Sequence, residues 1–429
     1  MRPRPRPDLP LTDGTFGSRA MSARAPPRLS REVPAGTVRA AVLAATDPPD
    51  LPPRLVTIKT TPETTAPDRD VHQRDVRLLF RIASFVIAIF LFVLAIQLMK
   101  EGAKALAPHL TDSPLFSNAF STLGAGWLGA YIVLSGSPVA AVSLSLFVGG
   151  AATQLQTFTM LSGSRLGASF VVLLVGFLYA VRNRGRNRSE SIGMGVLALS
   201  LTAIVYVPGM LLGYGILKSG ILDGIQLSAS DDVLSIIDVI WGPALDLLTR
   251  LPGWALLPVG LGIILVSFRF LDRVLPQLDG ERHGGKREAW LKRPWPMFAL
   301  GCVVATLTLS VSVALTVLVP LASRGYLKRE ESIPYIMGAN ITTLADTLVA
   351  AMVLGNAVAV HIVLAEAIAV SVVSLVYLGL FYPLVRRWIM RLDEWVVASP
   401  RRLWIFVAVV FILPALFLTS GVWIGPIAN

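Results

Sequence analysis

The sequence predicts an all-α polytopic membrane protein with two inverted-topology repeats, each containing a re-entrant or broken helical hairpin. Three observations support this fold class: long apolar runs, the positions of lysine and arginine around them, and a serine-containing pattern that occurs twice at a constant offset. From the length of the apolar runs we expect about eight to nine membrane helices.

The apolar runs account for most of the chain. Of its 429 residues, 54% are hydrophobic and only 15% are charged, whereas a soluble domain carries about 25% charged residues. Runs of 18 or more mostly apolar residues predict transmembrane helices, and five runs meet or approach this length: residues 82–99, 192–216, 254–270, 357–384 and 403–424.

The net charge of +11 does not indicate nucleic-acid binding, because much of the surplus lies in the N-terminal tail and in loops beside apolar runs. The single cysteine, Cys302, excludes an intramolecular disulfide, and one cysteine with four histidines gives no zinc or haem pattern. We therefore expect no cofactor, apart from sodium as a candidate coupling ion.

Basic and acidic segments alternate along the chain. Basic segments precede the first run and follow the runs that end near residues 180, 270 and 384. Since cytoplasmic loops are enriched in lysine and arginine, these segments are expected to face the cytoplasm, and the aspartate-rich segment 217–251 to face outward. We expect an inner (plasma) membrane protein with a cytoplasmic N-terminus and an extracytoplasmic C-terminus.

The same features divide the chain into five parts. The Pro- and Arg-rich tail shows no apolar period and predicts disorder. The predicted parts are a cytoplasmic tail (1–75), a first transport repeat (76–216), an extracytoplasmic connector (217–252), a second, inverted transport repeat (253–385), and a cytoplasmic loop with an extra membrane helix (386–429).

The repeated pattern is VLSGSPVA from Val133 and TLSVSVAL from Thr308, and we name residues 134–138 and 309–313 the elbows. An offset of 175 positions aligns their serines, and it also aligns glycines 126, 150 and 163 with glycines 301, 325 and 338. Inverted repeats with discontinuous helices are a transporter architecture whose substrate sites lie near the bilayer midplane. Simple duplication of core helices explains hydroxylated breaks less well.

The elbows have the composition of an ion site. Ser137 followed by Pro138 predicts a helix start, with serine as N-cap and proline at the first helical position, and Gly136 is expected to allow the chain reversal. A half-helix that begins at mid-membrane directs N–H groups at an anion or small ion. The alternative is that these serines and glycines only permit close helix packing.

A second polar element follows each elbow: GSRLGAS from Gly163 and GANITT from Gly338, with Arg165 aligned to Asn340. An ionisable residue inside a membrane segment is a functional candidate. Arg165 is expected to bind an anionic substrate or to replace a bound cation, with snorkelling to headgroups as the alternative. Candidate charge partners are Asp346, which is the most natural one, His361 and Glu366.

At these motifs the chain resembles the type II sodium/phosphate cotransporter family, including its bacterial members. Each repeat of that family carries Gln-Ser-Ser-Ser and, further along, Gly-Ala-Asn-Ile-Gly-Thr-Thr. The segments Phe90–Leu110, Leu261–Pro276 and HIVLAEAI near His361 extend the resemblance, which covers roughly residues 78–384.

The resemblance implies a sodium-coupled phosphate site. With Arg165, which is a candidate for its charge and not through the resemblance, the substrate-binding residues would be Ser135, Gly136, Ser137, Arg165, Ser310, Ser312, Asn340, Thr342 and Thr343, with sodium at Ser310, Ser312 and Thr342. The chain departs from the family pattern at several positions: the glutamines are Leu134 and Leu309, the middle serines are Gly136 and Val311, the first-half asparagine is Arg165, and the asparagine of a later helix is Ala365.

We therefore expect a secondary transporter that works by alternating access, with a sodium-coupled phosphate symporter or a phosphate exporter as the first interpretation. A sodium-independent or proton-coupled transporter of another small anion is the second, and a non-transporting scaffold or sensor is the third. The sequence shows no nucleophile–base pattern and no phosphate-binding glycine loop, so no enzyme is predicted. The expected partners are a small inorganic anion and membrane lipid, not nucleic acid, and homo-oligomers remain a candidate state.

Overall fold

The computed structural model describes residues 68–110, 113–182, 188–225, 227, 231–274, 293–308 and 310–424. The prediction of disorder covers residues 1–75. Of these, residues 1–67 lie outside the described residues, whereas residues 68–75 belong to a helix. Parts of the basic loops, at 183–187 and 275–292, and Leu309 of the second elbow also lie outside the described residues. The chain divides into two units, Met1–His72 and Gln73–Asn429, and the second unit contains both elbows.

All regular structure in the described ranges is helical. The first half contains α1 (Asp68–Leu110), α2 (Ala119–Val133), α3 (Gly136–Val148), α4 (Gln154–Ala168), α5 (Phe170–Arg182) and α6 (Arg188–Ser219), with a 3₁₀ turn at Pro114–Phe116. After α7 (Asp231–Leu248), the second half contains α8 (Gly253–Val274), α9 (Pro294–Thr308), α10 (Val311–Thr316), α11 (Leu318–Ser323), α12 (Arg329–Thr342), α13 (Leu344–Val353) and α14 (Ala357–Gly379). The chain continues with α15 (Tyr382–Val397), α16 (Pro400–Leu418) and α17 (Ser420–Trp423).

The prediction of an all-α polytopic membrane protein is confirmed. Seven helical segments among the described residues are long and apolar enough to cross a membrane: Ile82–Leu110, Gln154–Arg182, Ser189–Ser219, Gly253–Leu271, Arg329–Val353, Ala357–Gly379 and Pro400–Leu418. The shorter apolar helices form two further pairs, α2 with α3 and α9 with α10–α11. Each pair is interrupted at an elbow, and each of its members is too short to span a hydrocarbon core of about 30 Å.

The offset of 175 found in the sequence recurs in the helix boundaries. Helix α2 corresponds to α9 and α3 to α10–α11, residue for residue, and the N-caps Ser135 and Ser310 align. The turn after each pair uses an aligned glycine, with φ of 79° at Gly150 and 75° at Gly325. Only glycine adopts this left-handed conformation without strain, which explains why both turns contain it.

Aligned glycines also set the helix spacing within each half. A Cβ on Gly126 would lie 2.0 Å from a carbonyl oxygen of α4, and one on Gly163 would lie 2.1 Å from a carbonyl oxygen of α2. Their counterparts Gly301 and Gly338 would each meet a carbonyl oxygen at 2.1 Å, in α12 and α9 respectively. The backbones therefore touch in the same way in both halves, as small residues allow in membrane helices.

The two halves share their cores. One cluster of buried side chains includes Leu197 of α6 and Ile336 of α12, and another includes Leu144 of α3 and Ile362 of α14. Elements of both halves thus pack against each other, which brings the two elbows into one region.

The structure adds two helices that the sequence analysis missed. Helix α7 lies in the predicted connector, and α15 occupies much of the predicted cytoplasmic loop. Helix α15 buries Val385, Ile389 and Val396 and exposes Trp388, a one-sided pattern typical of a surface helix. Both helices escaped a search for long apolar runs because charged residues interrupt them: four aspartates in α7, and three arginines with Asp393 and Glu394 in α15.

Candidate functional site

The first elbow reverses the chain through Leu134, whose φ of 56° is left-handed. Ser135 is then extended and forms the N-cap of α3, whose first residue is Gly136. The prediction that Ser137 caps the helix is wrong, because α3 begins earlier and Pro138 occupies its third position. The reversal uses a leucine, although an L-residue in this conformation costs about 1–2 kcal/mol.

Gly136 was expected to allow the chain reversal, but its role in the structure is to let α3 pack closely against α4. A Cβ at this position would lie 2.7 Å from the carbonyl oxygen of Ser164 in α4. The start of α3 can therefore lie directly against α4. This contact places Ser137 beside Arg165, one turn from the end of α4.

The elbows of the two halves meet. The Ser312 hydroxyl donates a hydrogen bond to the Leu134 carbonyl oxygen at 3.2 Å. Between the elbows lies a cavity of about 280 Å³ lined by Val133, Leu134, Ser135, Ser137, Pro138, Leu265, Phe268, Arg269, Ser310, Ser312 and Val313, which we name the elbow cavity. A water molecule occupies about 30 Å³ of liquid, so the elbow cavity has room for a small ion with part of its hydration shell.

The elbow cavity offers hydroxyl groups from both halves. Ser310 accepts a hydrogen bond from the Val313 N–H at 3.3 Å, whereas Ser135 makes no side-chain capping bond. The Ser135 hydroxyl is therefore not committed to the helix end and can act as donor or acceptor for a bound ion.

Helix α8 provides the charged side of the elbow cavity through Leu265, Phe268 and Arg269. Sequence reasoning assigned Arg269 to a cytoplasmic basic segment and missed this position. The signal available was helical spacing, because Phe268 and Arg269 follow Leu265 by three and four positions and therefore share a face of the helix with it. What that face contacts is a non-local property that the spacing alone does not give.

Behind Ser137 lies a buried ion pair between the halves. The Arg165 guanidinium is 3.5 Å from the nearer Asp346 carboxylate oxygen, and the two side chains are 1% and 4% exposed. Arg165 also donates to the Ser137 hydroxyl at 3.4 Å and to the Thr347 hydroxyl. The same Asp346 oxygen accepts the Thr347 N–H at 2.6 Å and its hydroxyl at 3.0 Å. Thr347 was not singled out in the sequence.

Asn340 lies in a separate buried network. The backbone carbonyl oxygen of Asn340 accepts hydrogen bonds from the Tyr206 hydroxyl at 2.9 Å and the Thr343 hydroxyl at 3.1 Å. Its side-chain amide nitrogen donates to the Thr202 hydroxyl at 3.2 Å. The Thr202 hydroxyl is 2.7 Å from that of Ser169. The side-chain oxygen Oδ1 of Asn340 has no hydrogen-bond partner among the described residues. This network and the elbow cavity are thus distinct, and Asn340 and Thr343 do not line the cavity.

The remaining predicted residues occupy other positions. The Thr342 hydroxyl donates to the Cys302 carbonyl oxygen at 3.1 Å, and Thr342 does not line the elbow cavity. His361 is 2.8 Å from the Ile225 carbonyl oxygen and 4.0 Å from Asp223, away from the Arg165 pair. Glu366 is completely buried in α14 and interacts electrostatically with Arg165. In the described part of the chain, neither of its oxygens has a partner of hydrogen-bonding geometry.

No group of three or more histidine, cysteine, aspartate or glutamate side chains in the described ranges is arranged to hold a metal ion. Hydroxyl and carbonyl oxygens are the ligands that hard cations also accept. Any sodium ion at the elbows would therefore depend on serine hydroxyls and backbone oxygens.

Comparison with known proteins finds one family match, and it lies in the second half of the chain. Residues 263–385 match the family model described as Na+/Pi-cotransporter, and this segment contains α9 to α14 with Ser310, Ser312 and the GANITT motif. Neither a curated protein nor a solved structure shows a significant match to the chain. The family is one of transporters, and it implies inorganic phosphate as substrate together with sodium. The match thus supports the sodium/phosphate cotransporter family, to which the repeated motifs pointed, by the similarity of residues 263–385 to its model.

Proposed function

We propose that the protein is a sodium-coupled phosphate symporter, or a phosphate exporter, that binds its substrate in the elbow cavity and works by alternating access. One observation carries the proposal: both repeats contribute a pair of serines to the same cavity. The family match supports a sodium–phosphate transporter in general. A site formed by two repeats can open to either face when one repeat rocks against the other.

We infer that the repeats are inverted. Three long spans precede the one that begins the second half. If the paired short helices are re-entrant, an odd number of crossings gives the second half the opposite orientation. With basic segments in the cytoplasm, the N-terminus is cytoplasmic, the C-terminus is extracytoplasmic, and the membrane is the cell inner membrane.

In this proposal the hydroxyls of Ser135, Ser137, Ser310 and Ser312 contact phosphate, and Ser310 and Ser312 share the sodium ion. Thr342 contributes indirectly, through the Cys302 carbonyl to which it is bonded. Arg165 contacts the site through Ser137 and keeps the first elbow in place.

The proposal is tested by uptake of labelled phosphate into proteoliposomes with and without an inward sodium gradient. We expect sodium-dependent uptake that is lost in the S137A/S312A variant. The matched control is Ser143→Ala, because Ser143 is a buried serine of the same helix α3 whose hydroxyl bonds Ala140 and does not line the cavity. Absence of uptake by folded wild-type protein would refute phosphate transport. Wild-type uptake by the double variant would refute the site, and a scaffold or sensor predicts no effect of either change beyond stability.

A second candidate function is supported by Glu366 and by the Arg165–Asp346 pair. A fully buried carboxylate inside a membrane protein is costly when it shares its cation with a second carboxylate. Glu366 shares Arg165 with Asp346 in this way, so we propose that Glu366 holds a proton or a cation. Because Asp346 already balances Arg165, Glu366 is the remaining acidic group, and a proton taken up there would couple transport to pH. This interpretation, of a sodium-independent transporter of a small anion, predicts uptake driven by a pH gradient without sodium. In Glu366→Gln, gradient-driven accumulation would be lost while exchange of anion across the membrane continued.

A further inference from the structure

We propose that Arg269 is the specificity-determining residue that makes the elbow cavity select oxyanions. This inference deepens the proposed function, on which it rests, by naming the charge that faces the substrate. In the part of the chain that the structure describes, Arg269 is the one charged side chain that lines the elbow cavity; the other lining residues are serines or apolar.

Among the side chains that the structure describes, none is a carboxylate paired with Arg269. The other cation close to the elbows, Arg165, has Asp346 at 3.5 Å and is 1% exposed, so it adds no net charge. Arg269 is exposed and has no carboxylate within ion-pair distance among the described residues. Among the described side chains, Arg269 is therefore the cation that faces the elbow cavity without a carboxylate partner.

The chemistry of the guanidinium fits an oxyanion. Its planar fork presents several N–H donors and binds carboxylate or phosphate oxygens in pairs. Across the cavity, serine hydroxyls supply donors for the remaining oxygens of a tetrahedral anion. The apolar side chains around them lower the local dielectric constant, and this strengthens the attraction between guanidinium and anion relative to water.

Among the described residues, only the second repeat contributes a charged side chain to the lining of the elbow cavity. At the offset of 175, the first-half position aligned with Arg269 is Leu94, which is buried and apolar. The cavity thus combines serines from both repeats with a cation from the second repeat alone. An anion bound there would contact α8 in addition to the elbows, so movement of α8 would change its affinity.

An arginine near the end of a membrane helix can also snorkel to lipid headgroups without any contact to substrate. Arg182 provides the matched control for that role. It is an exposed arginine at the end of the span Gln154–Arg182 and does not line the elbow cavity. An effect of Arg269→Gln that Arg182→Gln does not share would separate substrate binding from interfacial anchoring.

The experiment measures KM for phosphate in proteoliposomes for wild type, R269Q, R269K and R182Q. We expect KM to rise at least tenfold in R269Q and less in R269K, which keeps the charge but not the fork, while R182Q stays within twofold of wild type. A wild-type KM in folded R269Q would overturn the inference. If R269Q does not fold, the KM of R269K is the test. A KM of R269K equal to that of wild type would show that the planar guanidinium is not needed and would overturn the proposal.

Failure of the proposed function gives a different result. If folded wild type transports no phosphate, its melting temperature is measured in detergent against inorganic phosphate and against sulfate. The inference then predicts that one of these oxyanions raises the melting temperature of wild type and R182Q but not that of R269Q. If R269Q does not fold, R269K is measured instead, and its melting temperature should rise less than that of wild type. No stabilisation of wild type by either anion, or equal stabilisation of all variants, would overturn it.

Discussion

The Arg165–Asp346 pair gives the sharpest test of how the halves are held together. The perturbation is a double-mutant cycle of R165M, D346N and R165M/D346N. Methionine keeps much of the arginine's volume, and asparagine keeps an oxygen for the two hydrogen bonds from Thr347. Each single change therefore removes one charge and leaves the other buried.

The expected magnitude follows from distance and burial. Charges 3.5 Å apart attract by about 5 kcal/mol at an effective dielectric constant of about 20. Truncating one partner of a buried pair costs about 3–5 kcal/mol, because the remaining charge has no counterion, whereas removing both partners costs much less. We expect each single variant to lose about 3–5 kcal/mol of stability and the double variant to be more stable than either, with a coupling energy of at least about 2 kcal/mol.

The assay is thermal unfolding in detergent, followed by the loss of monodisperse protein. At roughly 2–4 °C per kcal/mol for domains of 150–250 residues, the single variants should melt roughly 6–20 °C below wild type. The control R182M changes an exposed arginine outside any ion pair of the described residues and should melt within a few degrees of wild type. Single variants that melt with wild type, or a double variant that loses the sum of the single effects, would refute the reasoning.

Two further predictions concern packing and pH. Gly163→Ala and Gly338→Ala should both lower the melting temperature strongly, because each added Cβ would lie 2.1 Å from a carbonyl oxygen. The control Gly262→Ala has nothing within 4 Å of the added Cβ and should be neutral or stabilise the protein by about 0.5–1 kcal/mol. Equal effects of all three substitutions would contradict the close helix contacts. Outside the candidate spans, burial raises the pKa of Asp393 to about 7, although Arg329 beside it lowers this pKa. A raised native pKa means that folding takes up a proton, so the stability that Asp393 contributes is present at low pH and is lost as pH rises toward and through about 7. Melting temperatures measured from pH 5 to 8 should fall with pH in wild type and less steeply in D393N, and equal slopes would contradict this.

The fold was predictable from sequence because its signals are large and local. Long apolar runs predict spans, and a gap-free offset that aligned serines and glycines predicted equivalent helix boundaries in both halves. The N-cap was not predictable in the same way. Local preference favours Ser137 before Pro138, but the structure uses the strained conformation of Leu134 and caps with Ser135. Tertiary contacts at Gly136 decide the register, and no local propensity reports them.

The sequence predicted which serines line the site, but it did not predict which charged side chains contact each other or face the elbow cavity. The sequence aligned Arg165 with Asn340, and the structure shows what this difference does: Arg165 pairs across the halves with Asp346, while Asn340 forms a neutral network with Tyr206 and Thr202.

Every charged group near the elbow cavity breaks the repeat. At the common offset Arg165 aligns with Asn340, Arg269 with Leu94 and Asp346 with Val171. The aligned glycines and serines fix a frame that is nearly symmetric, so they cannot by themselves distinguish one ion from another or one repeat from the other. The choice of anion and of coupling ion must then depend on these asymmetric charges, with Asp346 paired to Arg165, Arg269 facing the elbow cavity, and Glu366 fully buried and interacting electrostatically with the same Arg165. For this reason substitutions at Arg269 and Glu366 should change selectivity and coupling, whereas substitutions at the aligned glycines should change stability.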